Sequence, residues 1–221
     1  VGFVMDGNRR YARTIDQPVI VGHQRGAQTA GKILEWWVRL GPRYLTIWAF
    51  SSENFKRPKE EVDCLFRLMT IHFKNLAFAS SVHLFQIRVR IVGSRERLPR
   101  ELLEAIELLE DSTRKYSRLF LQVAVGYGGR DEIVRSVRSA IARGVEVTED
   151  SIGQGTFCSQ IGVPPVELIV RTSERRTSGF FLWDTQTAEL HFLDKLWPQL
   201  TEEDWLDAIA SFAQREIRSG R

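Results

Sequence analysis

Cysteine and methionine are scarce, with two of each in 221 residues. Cys64 and Cys158 form no CxxC pair, so neither a zinc site nor a disulfide framework is expected. Two reduced thiols fit an intracellular protein. No run of about 18 apolar residues occurs, so no helix is expected to cross a bilayer. No signal peptide is visible, and the chain opens directly on an apolar, strand-like run. Charge of one sign is also lacking, since 31 Lys and Arg face 28 Asp and Glu for a net charge of +3. No basic stripe interleaved with aromatics appears, so nucleic acid is not an expected partner. A slight basic excess still leaves room for a pocket that takes anionic substrates. No linker, repeat or low-complexity segment divides the sequence, so residues 1–221 are expected to form one domain.

What is present has the composition of an ordinary globular chain, long enough to bury one sizeable core. Residues 1–5 read as a strand that ends in the turn cluster Asp6-Gly7-Asn8. Residues 25–40 carry Ala27, Ala30, Ile33, Leu34, Trp37 and Val38 at helical spacing, stopped by Gly41-Pro42. Residues 44–50 form a second apolar strand, and residues 58–79 a long helix. In residues 86–92, Ile87, Val89 and Ile91 alternate with Arg88 and Arg90, the pattern of a strand near a sheet edge. An amphipathic helix over 99–116, a strand over 119–125, a helix over 131–142 and a last clear strand over 166–170 follow. A final helix starts at Thr201 and runs toward Ile217. Strands that are nearly continuous apolar runs, alternating with helices, predict an α/β fold with a mostly parallel central sheet flanked by helices.

In such sheets ligands sit beyond the carboxyl ends of the strands, and the polar clusters fall there. Met5-Asp6-Gly7-Asn8-Arg9-Arg10 offers a carboxylate, a glycine turn that lets backbone amides approach an anion, and two cations. Read alone, it also fits a plain strand-to-helix turn. Ser51-Ser52-Glu53-Asn54-Phe55-Lys56-Arg57 can position a diphosphate and an alkene, or merely cap a helix through Ser51 or Ser52. Arg171 to Ser178 sets three arginines and several hydroxyls in one loop, a match for phosphate oxygens or a solvated basic loop. Glu189 fits a metal ligand or an exposed strand residue. His23 fits a phosphate donor, although a lone histidine is more often structural.

Taken together and in order, these stretches resemble the cis-prenyltransferases, the Z-type isoprenyl diphosphate synthases. The likeness extends over Gly22-His23 with Gly26, Ala49 to Asn54 with Arg57-Pro58, Tyr127-Gly128-Gly129-Arg130, Val170 to Glu174, Phe180 to Trp183, Ala188-Glu189-Leu190 and Leu196-Trp197-Pro198. It implies Mg²⁺-dependent condensation of isopentenyl diphosphate with an allylic diphosphate, in which the allylic group is transferred, diphosphate leaves and a cis double bond forms. Asp6 would bind the metal, and Glu189 would complete its site. Gly7, Asn8, Arg9, Arg10 and His23 would hold the allylic diphosphate, with Asn8 close to the reaction itself. Ser51 and Asn54 would help remove the proton from isopentenyl diphosphate, while Arg171, Arg176 and Ser178 would bind its phosphates. Phe50 and Arg57 would line the pocket. The helices from Arg25 and Pro58 would wall an apolar tunnel, which Phe66, Phe73 and Phe78 would narrow. Arg218-Ser219-Gly220 is similar to a tail that reaches across a homodimer. A long product would imply a peripheral membrane contact.

The Asp-Asp-x-x-Asp pairs of trans-type synthases are absent. Three positions depart from the family pattern: Val19 where an arginine is common, Gly126 where an asparagine is usual, and a loop after Arg171 that lacks a glycine between Ser173 and Glu174. The alternatives on the same fold are an irregular coupling or cyclising enzyme and a non-catalytic partner subunit.

Overall fold

Two long strands run through the middle of the sheet, β2 (Tyr44–Ser51) and β4 (Leu119–Tyr127). Both are rich in β-branched and aromatic residues, and β4 is buried along almost its whole length, as an interior parallel strand requires. The computed structural model describes residues 1–215, so Arg218 and its tail lie outside the described residues. Around the central pair lie β1 (Gly2–Val4), β3 (Ile87–Val92), β5 (Leu168–Thr172) and β6 (Glu189–Leu193). The order is β3-β4-β2-β1-β5-β6, and every pair is parallel. The expected edge position of residues 86–92 is found as β3. Its outward amides are closed off by a helix, Val89 N donating to Thr113 Oγ1 (3.2 Å) and Ile91 N to Glu110 Oε1 (2.8 Å).

Side-chain alternation along the strands sorts the core into two layers. Leu45, Ile47, Leu121 and Val123 face one side, where α2 (Val19–Leu40), α3 (Lys59–Phe78), α5 (Arg100–Thr113) and α9 (Glu202–Ala213) pack. Val4, Val92, Ala124 and Ile169 face the other, toward α6 (Gly129–Ala142) and α8 (Phe157–Ile161). Short α4 (Ser80–Leu84) and α7 (Glu149–Gln154) complete the covering layers. No described helix is long and apolar enough to cross a membrane.

Two elements differ from expectation. The helix expected at 25–40 begins at Val19, because α1 (Asn8–Thr14) packs across its first turns. A Cβ on Gly22 would fall 2.1 Å from the Asn8 carbonyl oxygen, and one on Gly26 would fall 2.2 Å from Asn8 Oδ1. These glycines interrupt the apolar periodicity for the sake of close approach. The second difference is β6, a sixth strand after the last one expected.

Candidate active site

β1 is flanked by β2 on one side and β5 on the other, so the chain leaves it in opposite directions. The crevice beyond β1 is therefore where a ligand is expected. Asp6 stands there, two residues past Val4. Its backbone is pinned by Thr172, whose hydroxyl accepts from Asp6 N (3.2 Å) and donates to Asp6 O (2.7 Å). Trp197 N donates to the same carbonyl (2.9 Å). Gly7 follows with φ 109°, a left-handed turn that an L side chain rarely adopts, and it starts α1.

The Asp6 carboxylate receives two guanidinium groups on Oδ2, from Arg171 at 3.0 Å and Arg10 at 3.3 Å. Its Oδ1 has no hydrogen-bond partner among the described residues. Arg171 is only 4% exposed, and its Nη1 also donates to Ser178 Oγ (2.8 Å) and to the Arg176 carbonyl. Glu174 ties the group together, binding Arg10 at 2.8 Å and Arg176 at 2.9 Å. Asp6, Arg10, Arg171, Arg176 and Ser178 are thus brought into one constellation.

A second constellation faces it, around a residue that sequence reasoning missed. Glu61 Oε1 takes His23 Nε2 at 3.1 Å, Arg57 Nη1 at 3.1 Å and Arg9 Nε at 3.7 Å. Its signal was readable, because Arg57 and Glu61 are four apart at the start of a helix, the spacing of an ion pair. Burial holds the His23 ring below its usual pKa, opposed by the hydrogen bond to Glu61, so the imidazole is neutral near pH 7. Asn8 sits behind, against α2, with its buried Oδ1 unpartnered.

Ser51 and Asn54 close a reciprocal cap on the 3-10 turn Ser52–Lys56. Glu53 N donates to Ser51 Oγ (3.1 Å) and Ser51 N to Asn54 Oδ1 (2.9 Å). Apart from Thr172, Glu61 and Glu174, which hold the others from behind, these groups line one cavity of about 1190 Å³. Arg13 and Arg130 add two further cations to its rim. Beyond the rim the walls turn apolar. α2 supplies Ala27, Ala30 and Leu34, α3 supplies Leu65, Met69, Phe73 and Leu76, and the sheet supplies Ile47 and Leu121. The expected tunnel between the two helices is present, and His72 within it is held below its usual pKa by burial.

Two expected residues are not brought into the cavity. Phe50 is 1% exposed and lies under the floor, with ring centroids 5.0 Å from Phe55 and 5.1 Å from Phe66. The β2–β4 register shifts on both sides of Phe50, so simple alternation assigns it to the wrong face. Glu189 opens β6 opposite Leu168, at the amino end of a sheet whose carboxyl end carries Asp6. Within one chain it stands apart from the metal candidate. Of the three expected constrictions, Phe73 lines the cavity, Phe66 belongs to the core, and Phe78 is exposed.

The departures from pattern acquire reasons. Gly126 has φ 66°, a conformation that asparagine also tolerates. Ser173 has φ 77°, so the shortened loop still makes a left-handed turn there. Val19 is simply the first residue of α2.

A family model described as "Putative undecaprenyl diphosphate synthase" matches residues 4–220. An isoprenyl transferase of Aquifex aeolicus is 39% identical over 225 residues, covering 100% of this chain and 95% of the relative. A tritrans,polycis-undecaprenyl-diphosphate synthase (geranylgeranyl-diphosphate specific) of Methanopyrus kandleri is 44% identical over 228 residues, covering 100% and 84%. Among solved structures, lavandulyl diphosphate synthase from Lavandula x intermedia, in complex with dimethylallyl diphosphate, superimposes with a TM-score of 0.91 at 32% identity, covering 100% and 97%.

Proposed function

Because the chain belongs to the undecaprenyl diphosphate synthase family of cis-prenyltransferases, we propose a division of labour within its cavity. The chain is a prenyl transferase that elongates isoprenoid chains in cis. In this assignment Arg171, Arg176 and Ser178 take isopentenyl diphosphate. Gly7, Arg9, Arg10, His23 and Arg57 take the allylic diphosphate. What supports it is one observation: a cationic rim built on Asp6 opens directly into an apolar cleft between α2 and α3. A substrate with a diphosphate head and a hydrocarbon tail fits that pairing.

Prenyl diphosphate synthases generally use a divalent metal, and we take it to be Mg²⁺. Among the described residues no three His, Cys, Asp or Glu side chains gather into a metal site. Asp6 alone, with a free Oδ1, fits an ion that is commonly held by one or two carboxylates, substrate phosphates and water. Such an ion neutralises charge that develops on the departing diphosphate.

The protein's own groups do the rest. As the allylic carbon–oxygen bond lengthens, the charge growing on the diphosphate meets Arg9 and Arg10, already oriented by Glu61 and Glu174. The α2–α3 cleft keeps water from the allylic cation. Ser51 Oγ accepts from Glu53 N, which leaves its own proton to donate. With Asn54 it orders the water or diphosphate oxygen that takes the proton lost from isopentenyl diphosphate.

A homodimer belongs to the same proposal. Glu189 and Arg218 would serve the site only from a second copy, since Glu189 stands at the far end of β6 and Arg218 lies outside the described residues. Phe78 and Leu84, more than 70% exposed where α3 ends and α4 follows, offer a surface for the membrane contact that a long product calls for.

The test is chromatography of radiolabelled products from isopentenyl diphosphate with several allylic primers. A ladder of lengthened diphosphates is expected. A single coupled product of fixed size would point instead to irregular coupling. No turnover by the purified chain with any primer would overturn the assignment.

A further inference from the structure

A second concavity, of about 640 Å³, lies at the β3 edge and shares no lining residue with the active-site cavity. Arg88 and Arg90 reach into it from β3, and Arg135 from α6. Being two apart on one strand, Arg88 and Arg90 stand about 7 Å from each other on the same face. Arg135 is held with its guanidinium carbon 3.8 Å over the Phe157 ring. Among the described residues none of the three has a carboxylate partner. The carboxylates that line the groove are Glu110 and Glu96, and Glu132, near Arg135, is buried and taken by Tyr127 and Phe157 N. Glu110 is already taken by Arg95 at 2.9 Å and by Ile91 N at 2.8 Å, and Glu96 is exposed. Arg88 Nε is buried and has no hydrogen-bond partner.

Arginines on an edge strand often serve only to discourage pairing with another sheet. Here the outward amides of Val89 and Ile91 are already satisfied by Thr113 and Glu110, so the edge is blunted without them. Three unpaired forks converging on a recess with an apolar wall, formed by Val92, Phe157 and Ile161, is the arrangement that recognises phosphate.

We propose that this groove binds a phosphate-bearing ligand, with its diphosphate or phosphate end on Arg88, Arg90 and Arg135. The apolar wall leaves room for a short hydrocarbon on the same ligand. Two sources share this chemistry, free diphosphate released by prenyl transfer and an intact prenyl diphosphate.

Calorimetric titration of the full chain with inorganic diphosphate is expected to show two classes of site. In Arg88→Ala/Arg90→Ala, and separately in Arg135→Ala, one class should weaken at least tenfold while turnover stays within twofold of the parent. Arg135 is exposed on α6, so its variant reads the site even if the strand variant fails to fold. A parallel titration with a thiolo analogue of dimethylallyl diphosphate assigns the source. Tighter groove binding than inorganic diphosphate identifies a prenyl diphosphate, and equal binding identifies free diphosphate. A single class of site in the parent, unchanged isotherms in both variants, or saturation only at tens of millimolar (an adventitious ion only) would overturn the proposal. Groove binding is read apart from turnover, so loss of one says nothing against the other.

Discussion

The Arg171 guanidinium, almost fully buried on β5, meets the half-exposed Asp6 carboxylate at 3.0 Å across the β1–β5 pair. The two residues come from opposite ends of the chain, and the sheet register sets them side by side, with Val4 directly opposite Arg171. A buried cation thus aims the proposed metal carboxylate, and each depends on the other.

Replacing Asp6 by alanine is expected to lower turnover by several orders of magnitude while the fold persists. Arg171 loses an acceptor in a buried setting, and the stability cost is about 1–3 kcal/mol. Denaturant titration and steady-state rates check both halves. Near-normal rates at saturating Mg²⁺ would remove Asp6 from the metal site.

Arg176 is exposed and, among the described residues, interacts through its side chain only with Glu174 and Ser178. Arg176→Ala should therefore leave thermal stability within about 0.5 kcal/mol. A lost charge-assisted phosphate contact is worth ~1.5–3 kcal/mol, so the KM for isopentenyl diphosphate should rise one to two decades. The KM for the allylic primer should move much less. Equal rises for both substrates would mean that the two phosphate sites are wrongly divided.

Glu132 is fully buried, accepting from the Tyr127 hydroxyl (2.5 Å) and from Phe157 N (2.8 Å). Burial pushes its carboxyl above the usual range. With the folded pKa raised, folding favours the protonated form, so stability contributed by this group falls as pH rises above about 4.5 through the folded value. An uncharged glutamine can keep both contacts, its Oε1 accepting from Phe157 N and its Nε2 donating to the Tyr127 hydroxyl oxygen. Glu132→Gln should be more stable than the parent at pH 8, with the gap closing toward pH 5. Melting temperatures across that range decide it, and a gap that widens on acidification would contradict the assignment.

Gly22→Ala should drive α1 away from α2, since the added methyl falls 2.1 Å from a backbone oxygen that cannot yield. Overpacking of this kind costs about 1–3 kcal/mol. Because α1 carries Arg9 and Arg10, the primer KM should rise in parallel. Full stability with unchanged KM would show that the helix pair tolerates a wider gap.

Much of this was legible in the sequence, for physical reasons. Apolar runs over residues 44–50 and 119–125 announce interior parallel strands, and the polar clusters that follow them mark the crevice. The arginine alternation of residues 86–92 marks an edge. The first turns of α2 were not legible, because Gly22 and Gly26 serve helix contact and erase the apolar stripe. Phe50 was expected in the pocket from the resemblance alone, and its burial beneath the floor could not be read from the residues around it. Glu61 escaped notice because a carboxylate in the first turn of a helix is common for purely local reasons. Its three partners, His23, Arg57 and Arg9, come together only in the fold. Glu189 shows a different limit, since a carboxylate in an apolar frame carries no sign of strand direction, and that direction sets it at the far end from Asp6 within one chain.

The central position of β1 bears on when, as well as where, the site forms. Its three residues wait for β5, and Phe3 packs on Trp197 and Trp205 with ring centroids 5.7 and 5.2 Å apart. β1 is made before both of its sheet neighbours and is therefore among the last strands to be completed on both sides. Contacts of such long sequence separation form slowly, because loop-closure entropy is lost before they yield any stability. A nascent chain stopped before Leu168 carries Asp6 and most of the rim cations but no Arg171 to aim them. Competence for phosphate chemistry then arrives late and all at once, after the apolar cleft between α2 and α3 has had time to assemble on β2 and β4.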